Sequence, residues 1–256
     1  KYRNWATQHG INIHSLPYQG IHIALFFKDI SERTAISDGS LNSYASSLSW
    51  FHTSLGYLSP MDDILVKNAL KTAKTITGRP KRRKEPITED MMKAICHDFH
   101  KDSSLSNLRF IVSSLLQIHA FLRASDLLKL KRNQIKIFDD HIAIFLPTSK
   151  CDKLRRGATL LISKNEENPD LCPMRFLKLY LKRCDMLEAS DVYLFRRIEK
   201  TRKKERLSKI NVPITYSCLR SILLERLRFL GFDETKFGCH SFRSGGLLFA
   251  AITNLT

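Results

Sequence analysis

Phe237-Gly238-Cys239-His240-Ser241-Phe242-Arg243-Ser244-Gly245-Gly246 is the stretch whose reading decides the fold. A histidine and an arginine three residues apart share one face where they open a helix. A ring that gives or takes a proton, beside a permanent cation, suits a phosphoryl centre. The flanking glycines let backbone come close to something large. A His-x-x-Arg pair alone is weak, because such pairs meet by chance in many chains. Its weight depends on a second arginine and a lysine upstream in the right setting.

Both are found. Leu105 to Phe121 is a strongly apolar helix, followed by Phe121-Leu122-Arg123-Ala124-Ser125-Asp126-Leu127-Leu128-Lys129-Leu130. Ser125 is the expected N-cap of the next helix, which puts Arg123 in a tight turn between two helices. A charge held there needs a partner, either an internal carboxylate or a phosphate. The period then changes to two. Gln134 to Phe138 and His141 to Leu146 alternate around Asp139-Asp140 as a hairpin, and Ala158 to Ile162 returns as a third strand. Lys150 lies in the loop 147–153, at the tip of this small sheet, where a long side chain reaches into a cleft. Lys153, Arg155 and Arg156 flank it. They are alternatives to Lys150 or contacts to a phosphate backbone.

Residues 1–78 read as an all-helical unit. Gln19 to Asp29 is a short apolar helix. A second is capped by Ser37 or Asp38 and closed by Gly56, with Leu41, Tyr44, Ala45, Leu48, Phe51 and Leu55 at helical spacing. Pro60 opens a third, with Ile64, Leu65, Ala69, Leu70, Ala73 and Ile76 as its apolar stripe. Trp5 and Trp50 are expected in the core.

Arg79-Pro80-Lys81-Arg82-Arg83-Lys84-Glu85-Pro86 has two prolines and five cations and leaves no room for a packed element. It is read as the linker between two domains. Arg79, Lys81, Arg82, Arg83 and Lys84 suit a contact across phosphates. A nuclear-import signal or a solvated tether are the other readings. Beyond it, Thr88 starts a helix to about residue 101, and Pro173 starts another to about Met186. Arg196 to Arg206 is a cationic surface loop, and Thr215 caps a helix closed by Gly231.

Composition bounds the class. The 256 residues suffice for two modest domains, and 43% hydrophobic content buries a sizeable core. Forty-two Lys and Arg against 25 Asp and Glu leave a formal charge of +17, which favours a polyanion, most often nucleic acid. No apolar run approaches the ~20 residues of a membrane span. The six cysteines form no CxxC pair and are read as reduced, mostly buried thiols of an intracellular protein. Cys96 and His100, one helical turn apart, lack a second pair that would complete a zinc site.

In this order the motifs resemble those of the tyrosine recombinase (phage integrase-like) family. Leu122 to Leu130 resembles its arginine segment, Phe145 to Asp152 its lysine hairpin, and Lys236 to Gly246 its HxxR box. The box and Lys81 to Thr88 look most like recombinases of eukaryotic DIRS/Ngaro and Crypton mobile elements. The resemblance covers nearly the whole chain. It is patchy over residues 1–78 and specific over 80–250.

The resemblance implies a mainly α fold. Residues 1–78 would be a helical (SAM-like) core-binding domain that clamps DNA, and 79–86 a basic linker. Residues 87–256 would be an α+β catalytic domain with a three-stranded antiparallel sheet. It implies a site-specific recombinase that breaks and rejoins double-stranded DNA through a 3′-phosphotyrosine, without a metal or other cofactor. Protomers would pair on one site and form a tetramer on two, in the nucleus, with no membrane association. Arg123 and Arg243 would clamp the scissile phosphate, His240 would assist proton transfer, and Lys150 would protonate the leaving oxygen. The family's tyrosine follows the HxxR box, whereas no tyrosine follows Tyr216 here, and the family's second His or Trp is missing too. The expectation is that a segment beyond Thr256 carries the nucleophile. The alternative is a catalytically inactive, element-derived DNA-binding or chromatin protein.

Overall fold

A computed structural model describes residues 1–33, 35–78, 83–101, 104–148, 154, 156–201 and 204–253. The chain divides into two compact units, Lys1–Arg82 and Arg83–Thr256.

The first unit is helical. It comprises α1 (Tyr2–Gln8), α2 (Gly20–Arg33), α3 (Asp38–Ser54) and α4 (Ile64–Thr77). Ser37 caps α3, its hydroxyl accepting from the Ser40 N–H, as its place in the sequence predicts. The core is aromatic: Tyr2, Trp5, Tyr18 and Phe26 meet at ring distances of 4.9–6.0 Å. The Trp5 indole donates to Asp29 at 2.9 Å, so its polar edge is satisfied beside the apolar cluster. Helix α1 escapes the sequence reading because it is short and polar on most of its surface. Three expectations are corrected. Trp50 is 70% exposed, so it is not core. Helix α2 runs beyond Asp29 to Arg33. Pro60 starts only a 3₁₀ turn, and α4 begins after the Asp63 cap. Ala73 of the expected stripe is buried, but its companion is Val66, and Ile64, Leu65 and Ile76 are exposed.

The second unit is organised on α6 (Leu105–His119), which follows α5 (Glu89–Lys101). Nearly every residue of α6 is buried, from Leu105 to Ile118. A helix buried on nearly every side, its polar Asn107, Arg109, Ser113, Ser114 and Gln117 included, is the central element of a domain, and each buried Leu, Ile or Phe stabilises by about 1.5–3 kcal/mol. Helix α7 (Ala124–Lys129) precedes the antiparallel sheet β1 (Ile135–Ile137), β2 (His141–Leu146) and β3 (Ala158–Ser163), ordered β1-β2-β3. Ile135 pairs with Ile144, and Ile144 with Leu160, so one face points to the core. Then come α8 (Pro173–Arg183), β4 (Ile198–Lys200), β5 (Glu205–Leu207), α9 (Tyr216–Phe229) and α10 (Ser241–Thr253). The fold is thus mainly α with a small three-stranded sheet, as expected.

Two readings change here. Arg196 to Arg206, expected as a mobile loop, contains the antiparallel hairpin β4–β5, because Ile198 and Leu207 pair and pack into the core. The second half of the supposed linker is packed rather than free. The Glu85 N–H donates to Lys236 O, the Ile87 N–H donates to Ser241 O, and Ile87 is fully buried. Arg79, Lys81 and Arg82 lie outside the described residues.

Candidate active site

The HxxR box begins in a tight turn. The Ser241 hydroxyl, buried, accepts from the Gly238 N–H at 3.0 Å, and the Ser241 N–H donates to Gly238 O at 2.8 Å. His240 stands exposed at the mouth of α10, and its carbonyl accepts from the Ser244 N–H. Arg243 follows in the first turn of that helix, half-buried.

Glycines set the position of α10. A Cβ on Gly245 would run into the Ile87 carbonyl, and one on Gly246 into the Ile118 carbonyl. The large object against which these glycines press is therefore the protein's own backbone. Helix α10 lies directly on α6 and on the strand-like segment 83–87. That segment is also tied by Lys84, whose Nζ donates to Thr235 O, and by an ion pair between Lys236 and Glu85 at 3.4 Å.

Arg123 comes to the same place from the other side. Phe121 has a positive φ of 48°, which turns the chain sharply after α6. Arg123 is the N-cap residue of α7 with extended backbone. Ser125, expected as the cap, lies inside the helix, where its hydroxyl donates to Asp126. The Arg123 guanidinium is 25% exposed and 3.7 Å from the Asp126 carboxylate, so an internal carboxylate partner does exist. The Arg243 guanidinium donates from Nη1 to the carbonyl of Phe121. Two arginines 120 positions apart in sequence are thus joined through one turn. Sequence reasoning missed Phe121, because nothing in a phenylalanine side chain marks a backbone that must turn left-handed.

The sheet approaches the same turn. A groove of about 660 Å³ runs between α7 and the end of β2, lined by Asp126, Lys129, Lys131, Phe145, Pro147 and Thr148. Gly157, at φ 75°, packs against the Phe145 ring and closes the hairpin base. Lys150, Lys153 and Arg155 lie outside the described residues, whereas Arg156 is described and exposed. Arg83 and Lys84 are exposed beside the HxxR turn.

Three tyrosines of this unit bear on the chemistry. Tyr180 is fully buried, and its hydroxyl donates to Leu194 O at 2.8 Å. Lys131 sits over the Tyr193 ring at 5.5 Å. Tyr216 lies beside the Cys239 thiol, one residue before His240. Burial, and then Cys239, push the Tyr216 phenol above its ordinary value, opposite to what an activated nucleophile needs. Burial also raises the Cys239 thiol. Among the described residues no group of three His, Cys, Asp or Glu is placed to hold a metal ion. No helix among them is long and apolar enough to cross a membrane.

No family model matches the chain. Among curated proteins it is similar to an integrase/recombinase XerD homolog of Selenomonas ruminantium. The two are 23% identical over 247 residues, covering 95% of this chain and 68% of that protein. Among solved structures it superposes on the XerH site-specific recombinase bound to palindromic difH substrate, in a post-cleavage complex. The TM-score is 0.61 and the identity 14%, over 96% of this chain and 64% of that one. It also superposes on the Tn1549 transposon integrase in complex with circular intermediate DNA. There the TM-score is 0.60 and the identity 13%, over 99% of this chain and 80% of that one. The chain is thus similar in sequence to an integrase/recombinase and has the fold of the tyrosine recombinase catalytic domain.

Proposed function

We propose that this chain is the DNA-binding and phosphate-activating part of a site-specific tyrosine recombinase. The observation that carries the reading is the tie between Arg243 and the turn that bears Arg123. It ties the Arg243 guanidinium to the backbone turn from which Arg123 projects, and His240 is exposed three residues before Arg243. Two such forks suit the non-bridging oxygens of a phosphodiester, where charge grows as the pentavalent state forms. His240 is the proton-transfer group, and Lys150 is the acid for the departing 5′ oxygen. The attacking tyrosine makes a 3′-phosphotyrosyl bond as the DNA oxygen leaves. The same bond is later reversed by a DNA hydroxyl, so no metal, cofactor or external energy source is required.

The wider reading includes double-stranded DNA as partner and residues 1–78 as a second DNA-gripping domain. Arg79, Lys81, Arg82, Arg83, Lys84, Lys153, Arg155 and Arg156 are its phosphate contacts. Two protomers occupy one site and four a synapse. Kinship with eukaryotic mobile-element recombinases, and with it a nuclear location, rests on the HxxR box and the basic segment 81–88.

A second reading is a DNA-binding protein that no longer cuts. It is favoured by two tyrosines of the described residues: Tyr180 is buried, and the Tyr216 phenol is held above its ordinary value by burial and by Cys239. A nicked suicide duplex separates the two. The full-length protein is expected to accumulate a covalent DNA adduct, and Arg243→Ala is expected to slow it by about 10²–10³. Duplex binding without any adduct establishes the second reading. Absence of duplex binding refutes both.

A further inference from the structure

The hairpin β4–β5 plays no part in the site described above, although it lies in one of the most cationic stretches of the chain. Residues 196–209 hold eight Lys and Arg against two Glu. Both carboxylates are already matched within the hairpin. Glu205 pairs with Lys200 at 2.8 Å, and Glu199 pairs with Arg206 at 3.1 Å. Arg197, Lys204 and Lys209 are exposed and form no ion pair among the described residues. A solvated loop would leave these charges mobile, but this element is anchored. The buried Arg109 guanidinium donates to Arg196 O at 2.7 Å, and Arg196 in turn donates to Ser208 O at 2.8 Å. Glu205 also accepts from the Ser106 N–H at the start of α6. Ile198 and Leu207 seat the base of the hairpin in the core.

A set of exposed, unneutralised cations on an anchored hairpin binds a polyanion with little ordering cost, since its backbone is fixed in advance. We infer that β4–β5 is an additional phosphate-contact element that grips duplex DNA outside the arginine pocket. The inference rests on the DNA-binding reading above and extends it to a part of the surface with no role in cleavage. Duplex DNA is preferred over an anionic membrane because neither strand of the hairpin carries an outward apolar residue to insert, and the exposed Ile210 and Val212 lie beyond β5. Its two aliphatic strand residues, Ile198 and Leu207, pack into the core.

The test is the salt dependence of binding to a long duplex of random sequence. Three proteins are compared: wild type, the hairpin variant Arg197→Gln/Lys204→Gln/Lys209→Gln, and a charge-matched control. The control, Lys178→Gln/Lys182→Gln/Arg183→Gln, changes exposed cations of α8. Each phosphate contact contributes about 0.9 to the slope of log K against log salt. The hairpin variant is therefore expected to lose about 2–3 from that slope, and the control much less. Equal slopes for wild type and hairpin variant overturn the inference, as does an equal loss in the control. Loss of binding only to phosphatidylserine vesicles also overturns it, in favour of a membrane. A wild type that binds no duplex refutes the DNA-binding reading, and the inference falls with it. If the triple variant unfolds, the single Lys204→Gln variant gives the readout, with an expected loss of about 1.

Discussion

Gly246→Ala offers a test with a definite sign. In an isolated helix the change would stabilise by roughly 1 kcal/mol, because alanine restricts the unfolded chain more than glycine. Here the new methyl would stand 2.9 Å from the Ile118 carbonyl carbon and 3.1 Å from its Cα, and closer still to the carbonyl oxygen. Those atoms belong to α6, which is buried on all sides and does not yield. Helix α10 must therefore retreat by roughly 1 Å to regain an ordinary separation of about 3.5 Å. Overpacking of this kind costs about 1–3 kcal/mol. A net loss of about 2 kcal/mol corresponds to a fall of about 1 M in the urea midpoint, for a slope near 2 kcal/mol per molar. The same retreat draws Arg243 from the Phe121 carbonyl, so affinity for a phosphodiester duplex falls too. Ser244→Ala is the control, since Ser244 is exposed on the same helix, and it is expected to be neutral or slightly stabilising. An unchanged or raised midpoint for Gly246→Ala would refute the packing argument, and with it the account of how α10 holds Arg243.

Three further outcomes are expected. Arg243→Lys keeps the charge but loses the planar fork, so adduct formation should fall at least tenfold while duplex affinity changes little; a variant as fast as wild type would contradict the clamp. Tyr180→Phe leaves the buried Leu194 carbonyl without its donor and should cost about 1–3 kcal/mol in urea unfolding, with no effect on the salt slope of DNA binding. Glu205 is pulled below the ordinary glutamate value. Burial pushes it up, but Lys200 and the backbone N–H groups of Ser106 and Leu105 outweigh that. Its contribution is therefore complete above the ordinary glutamate range and is lost as pH falls through the lowered folded value. The second unit should lose stability on acidification, and Glu205→Gln should flatten that part of the profile; an unaltered profile would show that the carboxylate does not hold the hairpin.

Much of the architecture was readable from residue order alone. Helical spacing around Leu105 to Ile118, period-two alternation about Asp139-Asp140, and the caps at Ser37 and Thr215 are local signals, and each forms where its pattern lies. The misreadings share one cause. Local pattern cannot tell which of two apolar faces a neighbour will cover. Ile64, Leu65 and Ile76 are as apolar as a core stripe, yet α4 turns Val66 inward beside Ala73 instead. A run of cations looks like loop until Ile198 and Leu207 find a core to enter.

The residue types for phosphate chemistry, His240 and Arg243 with Arg123 upstream, were set by the sequence itself, because chemistry resides in side chains. Whether Arg243 meets the turn that bears Arg123 was decided only by the tertiary structure. Phe121 had to turn left-handed, Gly245 and Gly246 had to admit the backbones of Ile87 and Ile118, and Arg243 had to reach a carbonyl 122 residues away. Each is a contact between groups remote along the chain, and such contacts leave no periodic trace in the order of the amino acids.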